Sequence, residues 1–360
     1  MLDLFTDLRT LVLFLVTLTV IIAVHEFGHY LTARLLGMRV LEFAFGFPPR
    51  VFGLVHAGIT YSVNAIPFGG FVRILGQDDF AIRQRGEGEP GSFTSKPWWA
   101  QAIVLVAGVG MNLVLALVVL TAAFMLGGTL PTGQVQIVEV HEGSPAEAAG
   151  LEEGDIVASV DGRQVRTARD LVEYVESRKG SGEEIALEIV REGRSIGLVR
   201  AVPRAEPPAG QGPIGVLLQE MTTPGTVSAP QAAGLAWTLT VDVVVQILAL
   251  PGQLIAPPPD GPPAVGGPIE ILRITGQVAE FGLPTFLKLV GVLSVNLMVL
   301  NIIPFPGLDG GRLFFVLVAG IFRLRLSPQV EAAVHAVGFL VLLALLVVVS
   351  IADIRRAFGG

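Results

Sequence analysis

The sequence predicts a multi-pass α-helical membrane protein with four transmembrane helices, a membrane-associated β-element and an inserted soluble α+β domain. Three observations carry this expectation. Of 360 residues, 52% are hydrophobic and 15% charged, against about 25% charged in soluble globular proteins, and the mean hydropathy is +0.67. Apolar runs long enough to cross a hydrocarbon layer of about 30 Å recur towards both ends of the chain. Between them, from Gly133 to Pro203, the composition changes to that of a soluble domain, rich in charges and turn-forming glycines.

Composition also removes whole classes of function. A formal charge of -7 leaves no basic surface for nucleic acid, so no nucleic-acid partner is expected. The absence of cysteine excludes disulfides, thiolate metal sites and a cysteine nucleophile. A metal would have to be held by Asp, Glu or one of five histidines. The N-terminal apolar run is too long for a signal peptide and has no small-residue cleavage site, so it is expected to remain in the protein.

The first region, residues 1–31, contains a span at Leu8–Leu31, where LVLFLVTLTVIIAV (Leu11–Val24) runs straight into His25-Glu26-Phe27-Gly28-His29. On one helix His25 and His29 lie a turn apart on the same face, close enough for both imidazoles to bind one cation, with Glu26 beside them. HExxH on a helix is the spacing of a zinc hydrolase. Ionisable groups inside a membrane helix are costly and need partners or a function.

Residues 32–98 alternate short apolar runs with Gly and Pro. Strands are expected near Val40–Phe45, Thr60–Ala65 and Phe71–Leu75, forming a β-element against the membrane, followed by a polar loop at Gln77–Gly91. The second helix occupies residues 99–127, with Trp98 and Trp99 as an interfacial anchor. Its Gly108 and Gly110 are expected to permit close helix packing. Asn112 is a buried amide in need of partners, which an extended peptide in a cleft would supply.

Within residues 133–203, Gln134–Val140 and Ile156–Val160 alternate as strands, Arg169–Lys179 is an amphipathic helix, and Glu184–Arg191 and Ser195–Val202 pair around Glu192-Gly193. Residues 204–282 are expected to be a Pro/Gly/Ala linker (Pro203–Pro213) and amphipathic helices. Ala229–Leu250 is apolar enough for a span. Its polar groups Asp242 and Gln246, and the breakers of Pro251–Pro268, favour a helix lying at the surface, as is Glu270–Phe281. The third helix is placed at residues 283–308 and the fourth at 330–352.

Loop charge orients these spans. Arg34, Arg39, Arg50, Arg73, Arg83, Arg85 and Lys96 lie before the second span, and Arg312, Arg323 and Arg325 between the third and fourth. The positive-inside rule makes both loops cytoplasmic and puts the termini and the soluble domain outside. Arg355 and Arg356 argue mildly the other way. The HExxH end of the first span then lies near the cytoplasmic face.

A second polar cluster interrupts the third helix: Asn296-Leu-Met-Val-Leu-Asn301-Ile-Ile-Pro304-Phe-Pro306-Gly-Leu-Asp309-Gly-Gly-Arg312. Prolines and glycines free backbone groups that survive only in a polar cleft or protein interior. Asp309 is either a solvated turn carboxylate or the third protein ligand of a catalytic zinc that keeps its fourth position open for water. His56, His141, His335 and Glu42 are less well placed for that role.

HEFGH in the first span, AGVGMN in the second and NIIPFPGLDGG in the third, together with IPFGGFVRI and GGPIEI, resemble the site-2 protease family of intramembrane metalloproteases. The order is most similar to the bacterial branch that cleaves anti-sigma factors and signal-peptide remnants. GSPAEAAGLEEGDIVASVDG, the following helix and EIALEIVREG look like a PDZ domain of the bacterial protease type, present once where some members carry two. The resemblance implies one Zn2+ held by His25, His29 and Asp309, with Glu26 activating water. It implies substrate contacts at Asn301 and Asn112, with Asn296, Gly69 and Gly70 completing the candidate substrate-binding set. Transmembrane protein substrates, a peptide or truncated ectodomain at the PDZ domain, the lipid bilayer and a bacterial inner membrane follow from the same likeness. Two rivals stand beside it, a non-catalytic PDZ-bearing scaffold and a metal-ion transporter. An intact Glu26 and Asp309 argue against the first, and polar residues clustered at one membrane level argue against the second.

Overall fold

A computed structural model describes residues 8–77, 89–208, 211–255, 266–323 and 327–358. It divides into two compact units, one of Met1–Leu126, Ser228–Ile247 and Val265–Gly360, the other of Gly127–Val227 and Leu248–Ala264. The first unit begins with helix α1 (Leu8–Leu35), 28 residues long. Strands β1 (Val40–His56) and β2 (Ile59–Ile74) follow as one antiparallel hairpin, turning at Ala57-Gly58, both with positive φ. The strands bend on themselves, so Phe43 pairs with both Tyr61 and Val72, and the three expected strands become segments of two long ones. Glu42, buried inside this bend, bonds to Arg50 (2.6 Å), Arg73 (3.3 Å) and Ser62 Oγ (2.8 Å). The far end of the hairpin leaves Val51, Phe52, Leu54 and Val55 exposed, an apolar tip suited to lipid. Most of the expected polar loop at 77–91 lies outside the described residues.

Helix α2 (Trp98–Met125) packs antiparallel to α1. The approach is close because Gly28 has no side chain: a Cβ there would sit 2.4 Å from the Ala107 carbonyl oxygen. Ala33, Met38, Val40, Ile59, Ile74 and Val104 form the core that ties both helices to the hairpin.

The second unit contains β3 (Gly128–Val140), the short helix α3 (Pro145–Ala148), β4 (Ile156–Val160), β5 (Arg163–Gln164), α4 (Ala168–Ser177), β6 (Ile185–Arg191), β7 (Arg194–Ala201) and β8 (Val216–Gly225). All pairings are antiparallel, in the order β7-β6-β4-β3-β8 with β5 on β4. Alternating Ile185, Leu187 and Ile189 point inward against Val135, Ile137, Val157 and Leu171. A capping box between Thr167 and Asp170 starts α4. The unit outruns the expected limits of 133 and 203. β8 lies just beyond the expected linker (Pro203–Pro213), in a stretch to which no strand was assigned, and it pairs with β3 from Gly128↔Gly225 to Val140↔Val216 as an edge of the sheet.

Helix α5 (Ala229–Ile255), whose residues up to Ile247 belong to the first unit, contains a fifth segment long and apolar enough to cross a membrane, Ala229–Gln253, beside Leu8–Leu35, Trp98–Met125, Leu283–Ile302 and Gln329–Arg356. Four were expected. Val243 packs with Ala116, Val295 and Val299, burying a face of α5 that was assigned to the membrane surface. Helix α6 (Pro268–Glu280), also expected at the surface, has Thr275 fully buried and Gly276 against Thr10 of α1.

Helix α7 (Leu283–Ile302) runs antiparallel to α2, with Gly291 against Leu120 and Ser294 Oγ donating to the Asn112 carbonyl at 2.9 Å. That packing puts Met125 and Leu283 at the same end of the two helices.

Helix α8 (Asp309–Phe322) was expected to be a connection. Gly310 and Gly311 allow it to restart tightly after the break, since a Cβ at either would meet the carbonyls of Ile302, Ile303 or Phe305 within 2.4 Å. The apolar sequence from Leu313 to Phe322 then sustains it. Helix α9 (Pro328–Phe358) completes the unit, and its buried Asp353 accepts the N–H groups of Gly267 (3.2 Å) and Glu270 (3.1 Å) at the start of α6.

Candidate active site

Three side chains from two distant stretches converge between α1, α2 and the start of α8. His25 Nε2 lies 2.8 Å from Asp309 Oδ2, His29 Nε2 lies 3.2 Å from the same oxygen, and the two Nε2 atoms are 3.1 Å apart. Both histidines are buried. The helical i, i+4 spacing supplies the pair, and α2 supplies the room. A Cβ at Gly108 would stand 2.3 Å from His29 Nε2 and 2.9 Å from His25 Cε1, so no other residue fits there without displacing a ring. Gly110, which looked equivalent in sequence, meets nothing within 4 Å.

The outer nitrogens fix how the rings present themselves. His29 Nδ1 donates to the Val104 carbonyl at 2.8 Å. A carbonyl only accepts, so a proton sits on Nδ1, and in the neutral ring Nε2 keeps the lone pair that faces Asp309. His25 Nδ1 lies 3.2 Å from the Asn112 side-chain amide, whose Oδ1 has no partner. With the amide turned over, Oδ1 would accept from a protonated Nδ1, which leaves His25 Nε2 with a lone pair to offer a cation. Two imidazole nitrogens and a carboxylate oxygen lie within 3.2 Å of one another, an arrangement that needs positive charge among them, a proton or a metal ion. This donor set fits zinc with an open fourth position, and each imidazole carries the outer hydrogen-bond partner that zinc-binding histidines require. Among the described residues it is the one such cluster of His, Asp and Glu.

Glu26 adjoins the cluster, and its Oε2 accepts the Val72 N–H at 2.9 Å. The outer edge of β2 therefore reaches the candidate base. Gly70 lies at the same place, its Cβ position 3.8 Å from Glu26 Cγ, and Gly69, with φ +81°, sits over the Phe47 ring. Asn296 and Asn301 are half-buried on α7, and no hydrogen bond among the described residues joins them to His25, His29 or Asp309. Asn112 is fully buried against His25 rather than lining an open cleft. Glu42 belongs to the hairpin network, and His56 is exposed near the hairpin turn. His141 pairs with Glu139 in the other unit. His335 bonds to the backbone of Gly307. The Val104 carbonyl and the Val72 N–H escape sequence reasoning because backbone groups leave no signature in residue type. The demand on Gly108 was readable only as a small residue one turn before Asn112.

A family model described as peptidase family M50 matches residues 13–345. Two relatives named "putative zinc metalloprotease" are 32% identical to the chain. The one from Clostridium perfringens aligns over 340 residues, 94% of this chain and 97% of its own. The one from Rhizobium meliloti aligns over 379, 97% of each. Zinc metalloprotease RasP of Oceanobacillus iheyensis is 27% identical over 436 residues, 98% of this chain and all of its own length. The chain belongs to peptidase family M50, the site-2 protease family.

Proposed function

We propose that this member of peptidase family M50, a membrane zinc metalloprotease, is an endopeptidase that hydrolyses peptide bonds within or beside the transmembrane segments of single-span proteins. Anti-sigma factors and signal-peptide remnants are the substrate class. The observation that carries the proposal is the meeting of His25, His29 and Asp309 inside the helical unit, with Glu26 one residue away. In this reading the three side chains are the zinc ligands. Zinc bound there supplies a Lewis acid that polarises the scissile carbonyl and makes water a nucleophile near neutral pH.

The remaining work falls to the chain's own groups. Glu26 takes the proton of the attacking water and hands it to the leaving amine. The Val72 N–H on one of its oxygens holds the carboxylate in place. Asn112 orients His25 instead of touching substrate, as its burial supports. A helical substrate hides its carbonyls in its own hydrogen bonds, so it must unwind before attack. The edge of β2 at Gly69 and Gly70 offers main-chain partners for the unwound strand, and Asn301, with Asn296 behind it, offers amides for the groups set free.

The Gly127–Val227 unit is read as the PDZ domain, taking a peptide or a truncated ectodomain. Its antiparallel sheet with the capped helix α4 and the GSPAEAAGL turn support that reading. The cations Arg34, Arg39, Arg50, Arg73 and Lys96 around the hairpin support an active site near the cytoplasmic face of a bacterial inner membrane, with the PDZ domain outside.

The test is Glu26→Gln in the full-length protein in detergent. It is expected to lower cleavage of a single-span model substrate by at least about 10²-fold while one zinc per chain is retained by metal analysis. Cleavage at the wild-type rate would remove Glu26 from the mechanism.

A further inference from the structure

The turn that carries Asp309 is held from an element that supplies nothing to the donor set. His335, in the second turn of the 31-residue helix α9, is 4% exposed. Its Nδ1 lies 2.9 Å from the backbone nitrogen of Gly307, two residues before Asp309. A backbone N–H only donates, so Nδ1 must be the unprotonated nitrogen and the ring proton sits on Nε2. That Nε2 is buried with no partner among the described residues, so the ring's one hydrogen bond is the one to the turn.

The same helix grips the turn by shape. Gly338, three residues on, is so close that a Cβ would stand 2.1 Å from the Pro306 carbonyl oxygen. Gly307 in turn has φ +97° and would place a Cβ 2.9 Å from the Phe339 nitrogen. From α8 the Phe315 ring meets the His335 ring edge-on, centroids 5.4 Å apart. The turn between α7 and α8 is thus clamped on one side by the Gly310 and Gly311 contacts to Ile302, Ile303 and Phe305, and on the other by His335 and Gly338.

We propose that His335 is a positioning residue for the metal centre: through the Gly307 N–H it fixes the turn that delivers the Asp309 carboxylate to His25 and His29. The inference rests on the reading of Asp309 as a zinc ligand. A ligand on a Gly/Pro-rich turn has little rigidity of its own, whereas His25 and His29 sit mid-helix and are held by Asn112 and Val104. The entropy of ordering that turn is a cost of metal binding unless another element has already ordered it. His335 does so from a polar atom that a membrane helix would otherwise have no reason to bury.

The experiment measures zinc affinity of the full-length protein in detergent by competition with a chelator, for wild type, His335→Leu, His335→Asn and Asp309→Ala. His335→Leu is expected to bind zinc roughly tenfold more weakly. His335→Asn is expected to recover most of that loss, because Asn Oδ1 stands the same number of bonds from Cα as His Nδ1 and also accepts. Wild-type affinity in His335→Leu, or an equal loss in the Asn and Leu variants, overturns the proposal, provided Asp309→Ala has lost zinc. Wild-type affinity in Asp309→Ala overturns instead the reading of Asp309 as ligand. Nitrogen NMR of wild type labelled at histidine is independent of how any variant folds. His335 is expected to show an unprotonated Nδ1, and a protonated one overturns the proposal.

Discussion

Each unit sets a carboxylate among close polar neighbours, and the two settings are opposite in kind. In the sheet unit Asp155 is fully buried, and everything around it donates: Arg191 Nε at 2.7 Å, Arg191 Nη2 at 2.8 Å and the Glu152 N–H at 2.9 Å. Burial pushes its carboxyl up, but the Arg191 bonds and the Glu152 N–H outweigh that and leave it below the usual carboxylate range. In the helical unit Asp309 faces His25 and His29, whose outer nitrogens are already committed to Asn112 and Val104. The other buried acids resemble Asp155. Glu42 is closed by two arginines, and Asp353 by Arg356 and two backbone N–H groups. A buried acid whose donors are complete belongs to the architecture. Asp309, partly exposed beside two ring nitrogens that take a proton or a metal equally well, marks a place for a cation.

The sharpest way to break this contrast is to remove each acid in turn. Asp309→Ala is expected to weaken zinc binding by at least about 10²-fold and to abolish proteolysis, while melting of the sheet unit stays at its wild-type temperature. Asp155→Ala is expected to do the reverse, lowering the melting temperature of the sheet unit because it removes the acceptor shared by Arg191 and the Glu152 N–H, with zinc content unchanged by metal analysis. Zinc loss in Asp155→Ala would erase the distinction.

A smaller effect separates Gly108 from Gly110. Gly108→Ala puts a methyl group 2.3 Å from His29 Nε2 and is expected to weaken zinc binding about tenfold. Gly110→Ala meets nothing and is expected to bind zinc as wild type does, so equal chelator resistance in the two variants would show that the ring is not seated against Gly108.

The smallest expected effect is in pH dependence. Asp155 and Asp170 both lie below the usual carboxylate range. In Asp170 burial opposes the shift and the N–H groups of Arg166 and Thr167 produce it. A folded-state value below the unfolded one, about 3.9, contributes stability that is fully present above that pH and fades as pH falls through the folded value. The melting temperature of the sheet unit is therefore expected to drop below about pH 4, less steeply in Arg191→Leu than in wild type. An identical slope in the variant would detach Arg191 from the effect.

Much of this protein was legible in order along the chain, because its signals are local. A 3.6-residue helix puts His25, Glu26 and His29 on adjoining positions whatever surrounds them, and apolar length alone marks Leu8–Leu35, Trp98–Met125, Leu283–Ile302 and Gln329–Arg356 as spans. Alternation located β4, β6 and β7 for the same reason. The misreadings share the opposite cause. β8 follows a Pro/Gly-rich stretch, and its pairing partner β3 is separated from it along the chain by every other strand of the sheet, so its place in the sheet left no local signal. α6 was assigned to the surface although α1 and α9 cover it, and α8 was taken for a loop although it restarts within six residues of a proline break.

At the site, residue type and spacing determined which groups are available: two imidazoles, a carboxylate base and a second acid on a Gly/Pro-rich turn. The fold alone decided that Asp309 meets them, that Gly108 makes room, that Asn112 and Val104 set the rings, and that Val72 and His335 reach in from β2 and α9. Those are contacts between residues dozens to hundreds of positions apart, several through backbone atoms common to every residue. Local sequence holds no record of them until packing brings the helices together.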